Sequence, residues 1–172
     1  MSERGLKTRT VSIGEAHWQT LGHCVRKRLF HALVNTPGTH APLIGADGAK
    51  IASLLEGGYA DVLVSTDLTR ATDLLPLDLC AAIVDGLEQS GRLSETEIGI
   101  LRILTGPQRL EYSDGEVTSS NGILMGLPTS WAILSLIHLF WIDEVKSTSR
   151  TANWRKNHKF SICGDDALIA TT

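Results

Sequence analysis

The segment from Pro128 to about Val145 restricts the fold most, because its central run, Trp131 to Ile142, is apolar except for Ser135 and His138. A helix that is apolar around its whole circumference has to be buried. The run is also shorter than the about 20 residues a membrane span needs. The pattern therefore predicts a core helix, with Pro128 in its first turn, where the missing N–H costs nothing. A chain of 172 residues, 42% hydrophobic and 20% charged, is long enough to supply one core around it.

The remaining elements follow from local signals. Leu6 to Ile13 alternates basic and β-favouring residues, so it reads as a strand with its cations on one face; Gly14 ends it, and Glu15 to Val34 reads as a helix. Asn35-Thr36-Pro37-Gly38 is a turn, and Asp47 caps a short helix reaching Leu55. Ala60 to Thr66 is an apolar run of strand length that delivers Asp67 at its C-terminal end. A helix opens at Pro76 and is closed by Gly91, and a second runs from Ser94 to Thr105 behind the capping box Ser94-Glu95-Thr96-Glu97. Gln108 to Val117 is a hairpin around Ser113-Asp114-Gly115-Glu116, since Asp-Gly supplies the positive φ such turns need. After the glycine-containing loop Ser119 to Gly126 and the core helix, the chain reaches strand Lys159 to Cys163, the acidic turn Gly164-Asp165-Asp166, and strand Ala167 to Thr171. Strands and helices mixed in this order imply an α+β fold, an antiparallel sheet with helices packed on one face.

Charge is segregated. The net value of −3 argues against nucleic-acid binding over the whole surface, which requires clustered Lys and Arg. Clusters do occur locally: Arg4, Lys7, Arg9, Arg26, Lys27 and Arg28 near the start, and Arg150, Arg155, Lys156 and Lys159 before the last hairpin. The three cysteines, Cys24, Cys80 and Cys163, lie far apart with no CxxC pair, which suggests neither a disulfide framework nor a thiolate zinc site and fits a reducing compartment. The opening MSERGLKTRT lacks the apolar core of a signal peptide. His17, His23 and His31 lack HExxH or i, i+4 spacing and read as ordinary histidines. Trp131, Phe140 and Trp141 belong to the core helix, whereas Trp18 and Trp154, near the basic clusters, are the better candidates for stacking against a ligand.

The carboxylates carry the chemistry. Phosphoryl transfer from a nucleoside triphosphate asks little covalent work of a protein; it asks for two divalent cations clamping the attacking and leaving oxygens. Mg²⁺ takes hard oxygen ligands and keeps waters and substrate phosphates, so two or three aspartates suffice. Asp67 at a strand end and Asp165 at a hairpin tip form the natural pair, and Asp166 adds a third carboxylate. Asp73 lies six residues beyond Asp67, in the following loop, where a carboxylate could meet the ribose of an incoming nucleotide. Gly122 and Gly126 flank a loop able to approach a backbone closely, and Thr129 and Ser130 offer hydroxyls at a helix N-terminus. A lone Gly-Asp-Asp is a common turn sequence; its company here is what points to a metal site.

These residues bear a family resemblance. Ser65 to Asp73 resembles motif A of viral RNA-dependent RNA polymerases, Gly122 to Trp131 resembles motif B, and Ile162 to Asp166 resembles motif C, in the expected order. Glu3 to Val11 resembles the fingers motif F. The wording of motif B, with Met125-Gly126 and Thr-Ser-Trp before a helix carrying His138, is closest to the botourmiavirus-like polymerases and their narnavirus and mitovirus relatives. The resemblance implies a polymerase palm over 60–172, with partial fingers over 1–59 and the thumb absent. It implies that Asp67 and Asp165 ligate two Mg²⁺ ions, with Mn²⁺ as a substitute, and that Asp166 supports them. Lys7 and Arg9 would neutralise the triphosphate, and Asp73 with Thr129 or Ser130 would inspect the ribose 2′-hydroxyl. The implied partners are RNA template, nascent RNA, NTPs and the remainder of the polymerase chain. The implied location is the host cytoplasm, or the mitochondrion by analogy with mitoviruses.

Two departures stand out. Where many plus-strand polymerases carry an asparagine on the motif B helix, this chain has Leu134, and it stops just after the motif C hairpin. The resemblance then implies either a fragment of a longer polymerase or an incomplete reading frame, and the piece alone is not expected to copy RNA. Three other classes compete. A reverse transcriptase normally has an aromatic residue where Gly164 stands. An aspartyl-nucleophile phosphatase needs Asp-x-Asp, but Thr69 fills the second position. A non-catalytic RNA-binding module explains the basic clusters but leaves Asp67, Asp165 and Asp166 as liabilities in a phosphate-binding cleft.

Overall fold

The computed structural model describes residues 11–55, 62–148 and 159–171. Six helices and five strands occur among them: α1 (Ala16–Val34), α2 (His40–Leu43), α3 (Gly48–Leu55), β1 (Val62–Asp67), α4 (Leu77–Gln89), α5 (Glu95–Thr105), β2 (Arg109–Tyr112), β3 (Gly115–Thr118), α6 (Ser130–Thr148), β4 (Phe160–Cys163) and β5 (Asp166–Thr171). This is the α+β composition expected, with a three-stranded antiparallel sheet in the order β1-β5-β4 and a separate β2-β3 hairpin. The chain divides into two compact units, Met1–Lys27 with Arg70–Ile133 and Arg28–Thr69 with Leu134–Thr172. No helix among the described residues is long and apolar enough to cross a membrane.

In the first unit, α4 and α5 lie side by side. Their apolar positions bury Cys80 and Val84 on α4 and Ile98, Leu101 and Leu104 on α5. Outside that seam, Arg102 ties the two helices together, reaching Asp85 at 2.8 Å and Glu88 at 2.7 Å. The capping box forms as foreseen: the Ser94 hydroxyl accepts from the Glu97 N–H, and the Glu97 carboxylate accepts from the Ser94 N–H at 2.8 Å. The hairpin also forms, with Ser113 and Asp114 in its turn.

In the second unit, β5 is the central strand. Its Ala167 and Ala170 are buried, as is Ile162 on β4, the cross-strand partner of Ala167. The outer side of β4 is met by the turn after α1, where the Gly38 carbonyl accepts from the Ile162 N–H at 2.7 Å. Gly38, at φ 91°, packs against the Phe160 ring, so no side chain fits there. α2 packs beside β4 and α3 beside β5, and the Asp47 side chain caps α3 through the Lys50 N–H at 2.8 Å. Every residue of β1 is exposed, including Val62, Leu63 and Val64.

Four expectations need correction or lie beyond view. The strand foreseen over Leu6 to Ile13 does not form in its described part. Val11 to Glu15 is irregular, Ile13 is fully exposed, and Ser12 instead donates its N–H to the Met125 carbonyl at 2.9 Å. Pro128 lies in the turn before α6 rather than in its first turn, because the Ser130 hydroxyl first bonds back to the Leu124 carbonyl at 2.9 Å. The core helix is buried on all sides only over its first half, from Ala132 to Ser135 and at Ile137 and His138; beyond that it emerges, leaving Phe140 41% exposed and Trp141 half-buried. Lys7, Arg9, Arg150, Trp154, Arg155 and Lys156 lie outside the described residues.

Candidate active site

The second unit gathers the three carboxylates of motifs A and C. Asp67 is the last residue of β1 and stands opposite Asp166, the first residue of β5. Opposed residues of an antiparallel pair share one sheet face, with Cα atoms about 4.5–5.5 Å apart. Asp165 sits with Gly164 in the two-residue turn joining β4 to β5, and Gly164 adopts φ 64°, a left-handed conformation that glycine reaches without strain. The Leu68 N–H reaches the Asp165 carbonyl at 3.2 Å, so the β1–β5 ladder continues one step into that turn. The spacing of strand end and hairpin tip therefore places all three acids at one end of the sheet.

Their electrostatics follow from this crowding. Desolvation, then the charges of Asp165 and Asp67, push the Asp166 carboxyl above the ordinary carboxylate range, while His138 pulls it down. Cys163 is the other cross-strand partner of Asp166, and burial together with the Asp166 and Asp165 charges raises its thiol in turn. Among the described residues, no three His, Cys, Asp or Glu side chains converge closely enough to enclose a metal ion by themselves. The donor set nevertheless suits a hard divalent cation: oxygen ligands only, with like charges that an added positive charge would relieve.

Sequence reasoning gave His138 no role here. It is buried on α6, its Nδ1 lies 3.1 Å from the Gly164 carbonyl oxygen, and its ring meets Trp141 edge-on with centroids 5.9 Å apart. The available signal was a lone imidazole in a run, Trp131 to Ile142, whose one other polar residue is Ser135.

The first unit holds Asp73, Gly122, Gly126, Thr129 and Ser130. Asp73 is exposed in the turn after β1, where Arg70 takes φ 56° and its Nε lies 4.0 Å from the Asp73 carboxylate. The motif B loop is pinned to this turn by backbone bonds, Gly122 N–H to the Leu75 carbonyl at 2.8 Å and Ile123 N–H to the Thr72 carbonyl at 2.9 Å. A Cβ on Gly122 would stand 2.7 Å from the Asp73 carbonyl oxygen, and one on Gly126 2.6 Å from that of Ser12. The close approach of both glycines is thus to the protein's own backbone. Thr129 is fully buried with its hydroxyl unpartnered, and Ser130 is buried with its hydroxyl on Leu124. Leu134 is buried in the core. His17, His23 and His31 are all exposed on α1.

A family model described as mitovirus RNA-dependent RNA polymerase matches residues 1–172. The chain is 44% identical over 175 residues to the RNA-directed RNA polymerase of Saccharomyces 20S RNA narnavirus, covering 96% of this chain and 20% of that protein. It is 37% identical over 183 residues to the RNA-directed RNA polymerase of Saccharomyces 23S RNA narnavirus, covering 96% and 19%. The chain therefore spans about a fifth of the length of the curated relatives it matches.

Proposed function

Because the chain belongs to the mitovirus RNA-dependent RNA polymerase family, we propose that it carries the catalytic core of a polymerase that copies RNA from nucleoside triphosphates. The observation that carries this reading is the opposition of Asp67 and Asp166 across β1 and β5, with Asp165 in the adjoining turn. In the complete enzyme, the 3′-hydroxyl of the growing RNA attacks the α-phosphate of a template-paired triphosphate and pyrophosphate leaves.

Asp67 and Asp165 would hold two Mg²⁺ ions, or Mn²⁺ in their place, and Asp166 would support them. When bound, the ions supply Lewis acidity toward the reacting phosphate and neutralise charge on the leaving group. Asp73, exposed in the turn after β1, is assigned to the ribose; Thr129 or Ser130, which the motif B resemblance pairs with it, would have to turn out of the buried positions they hold here to reach a sugar. Lys7 and Arg9, in residues 1–59 assigned to the fingers, are given the triphosphate on the strength of motif F. Residues 60–172 are assigned to the palm. Base pairing with the template, not side chains, selects the nucleotide. With about a fifth of its relatives' length, this segment is expected to need the rest of the polymerase chain for synthesis.

The test is primer extension on an RNA template with Mg²⁺, using the complete polymerase and its Asp165→Asn variant. Synthesis from ribonucleotides that disappears in the variant supports the reading. A complete polymerase that binds RNA equally well with or without the substitution, and incorporates nothing in either form, would replace it with a non-catalytic RNA-binding module.

A further inference from the structure

We propose that His138 is a positioning residue that sets the orientation of the motif C turn, an inference that rests on the metal-binding assignment of Asp165. The contact is a single hydrogen bond between residues 26 positions apart, from the buried His138 Nδ1 to the Gly164 carbonyl oxygen at 3.1 Å. That carbonyl belongs to the peptide unit joining Gly164 to Asp165. Holding its oxygen fixes the plane of the peptide and with it the direction in which the Asp165 side chain leaves the backbone. The turn needs such a hold. Ladder bonds fix β4 and β5 up to Cys163 and Asp166, and the Leu68 N–H holds the Asp165 carbonyl, but the Gly164–Asp165 peptide lies between these anchors, and Gly164, at φ 64°, has the conformational freedom of glycine.

The environment of the imidazole supports a directed role. His138 is only 6% exposed, and its neighbours on α6, Leu134 and Ile137, are apolar and buried. A buried imidazole keeps its place only if its polar atoms are satisfied. Here Nδ1 donates to the Gly164 carbonyl, while the ring edge packs on Trp141. The buried half of α6 thereby reaches the one peptide of the acidic turn that lies between the ladder-bound residues. Displacing a reacting group by about 1 Å can cost on the order of 100-fold in rate, so one bond at this point is enough to matter.

The experiment compares His138→Asn, His138→Gln and His138→Leu in the complete polymerase, below the unfolding transition of every variant. Asparagine places an amide donor about where Nδ1 sits, glutamine about where Nε2 sits, and leucine places none. Expected are a loss of roughly 10- to 100-fold in kcat for the leucine and glutamine variants, a higher Mg²⁺ concentration for half-maximal synthesis, an unchanged KM for NTP, and recovery to within a few-fold with asparagine. An unchanged Mg²⁺ requirement in all three, or activity that simply follows melting temperature, would show that His138 only fills the core and would overturn the inference. Rescue by glutamine rather than asparagine would overturn it too. Asp165→Asn is assayed in parallel: if that variant still synthesises RNA, it is the metal-site reading that fails.

Discussion

Asp67 and Asp166 face one another as the last matched pair of the β1–β5 ladder, two carboxylates where most sheets avoid like charges. The Asp166 carboxyl is held above its ordinary value by desolvation and by Asp165 and Asp67. The folded chain therefore binds that proton more tightly than the unfolded chain. The resulting stabilisation is complete below the ordinary carboxylate pKa and is lost as pH rises through the raised one. Asp166→Asn should flatten this part of the pH dependence and raise the melting temperature near neutrality by ~1–2 °C, a small shift because the group is exposed. Added Mg²⁺ should stabilise the unsubstituted polymerase more than the variant. Thermal unfolding between about pH 4 and 7, with and without Mg²⁺, checks both; identical curves would deny the crowding.

Gly122 makes the sharpest steric prediction. It sits at φ 78°, and an added Cβ would meet the Asp73 and Thr72 carbonyl oxygens at 2.7 and 2.8 Å. Neither oxygen can easily move, because the flanking bonds from Gly122 and Ile123 fix that stretch of backbone. Gly122→Ala should therefore cost about 2–4 kcal/mol, combining left-handed strain with the clash. Gly86→Ala is the matched control: it lies within α4 with no heavy atom within 4 Å of the added Cβ. That substitution should stabilise by about 0.5–1 kcal/mol. Denaturant unfolding of the two variants should give opposite signs.

The contrast between these elements shows what a sequence exposes. α4, α5 and the β2–β3 hairpin were readable because their signals are local: apolar spacing, Ser94 with Glu97, and Asp114-Gly115. α2 was not, since His-Ala-Pro-Leu has no periodicity and is held from outside by Thr39 bonding the Leu33 carbonyl and by His40 Nδ1 at 2.7 Å from the Val34 carbonyl. The positions of Asp67, Asp165 and Asp166 could be inferred because strand ends and hairpin tips are local features too. The inward orientation of the Thr129 and Ser130 hydroxyls could not, because residues favoured at helix starts look the same whether they face solvent or core. The His138–Gly164 bond was out of reach for a related reason: it joins two elements whose meeting is decided only by packing.

Cysteine reactivity separates buried from open sites. Cys80 is fully buried on α4, and burial, then the Asp78 charge, push its thiol up to about 11. Near pH 8 only about one molecule in a thousand would carry the thiolate, the form that reacts. Cys24 is exposed on α1. Iodoacetamide should label Cys24 within minutes and Cys80 only after denaturant unfolds α4, as peptide mass mapping would show. Rapid labelling of Cys80 in the native protein would contradict its burial.

Ser94 tests the capping box directly. Its hydroxyl accepts from the Glu97 N–H at 3.3 Å, and the Glu97 carboxylate accepts from both the Ser94 N–H at 2.8 Å and the Ser94 hydroxyl at 2.9 Å. Ser94→Ala removes the cap and the hydroxyl bond but leaves the Glu97 carboxylate able to hold the backbone N–H, so the cost should be about 1 kcal/mol rather than more. Ser94→Asp keeps an acceptor at the cap and adds a negative charge at the helix N-terminus, which favours the helix. It also sets that charge beside Glu97, so it should recover only part of the loss. Amide exchange of Thr96 and Glu97 is the measurement. Protection should fall several-fold with alanine and return in part with aspartate, while Leu101 and Leu104, buried two turns on, keep theirs. Uniform loss of protection along α5 would mean that the helix is held by its first turn and not by the core face it buries.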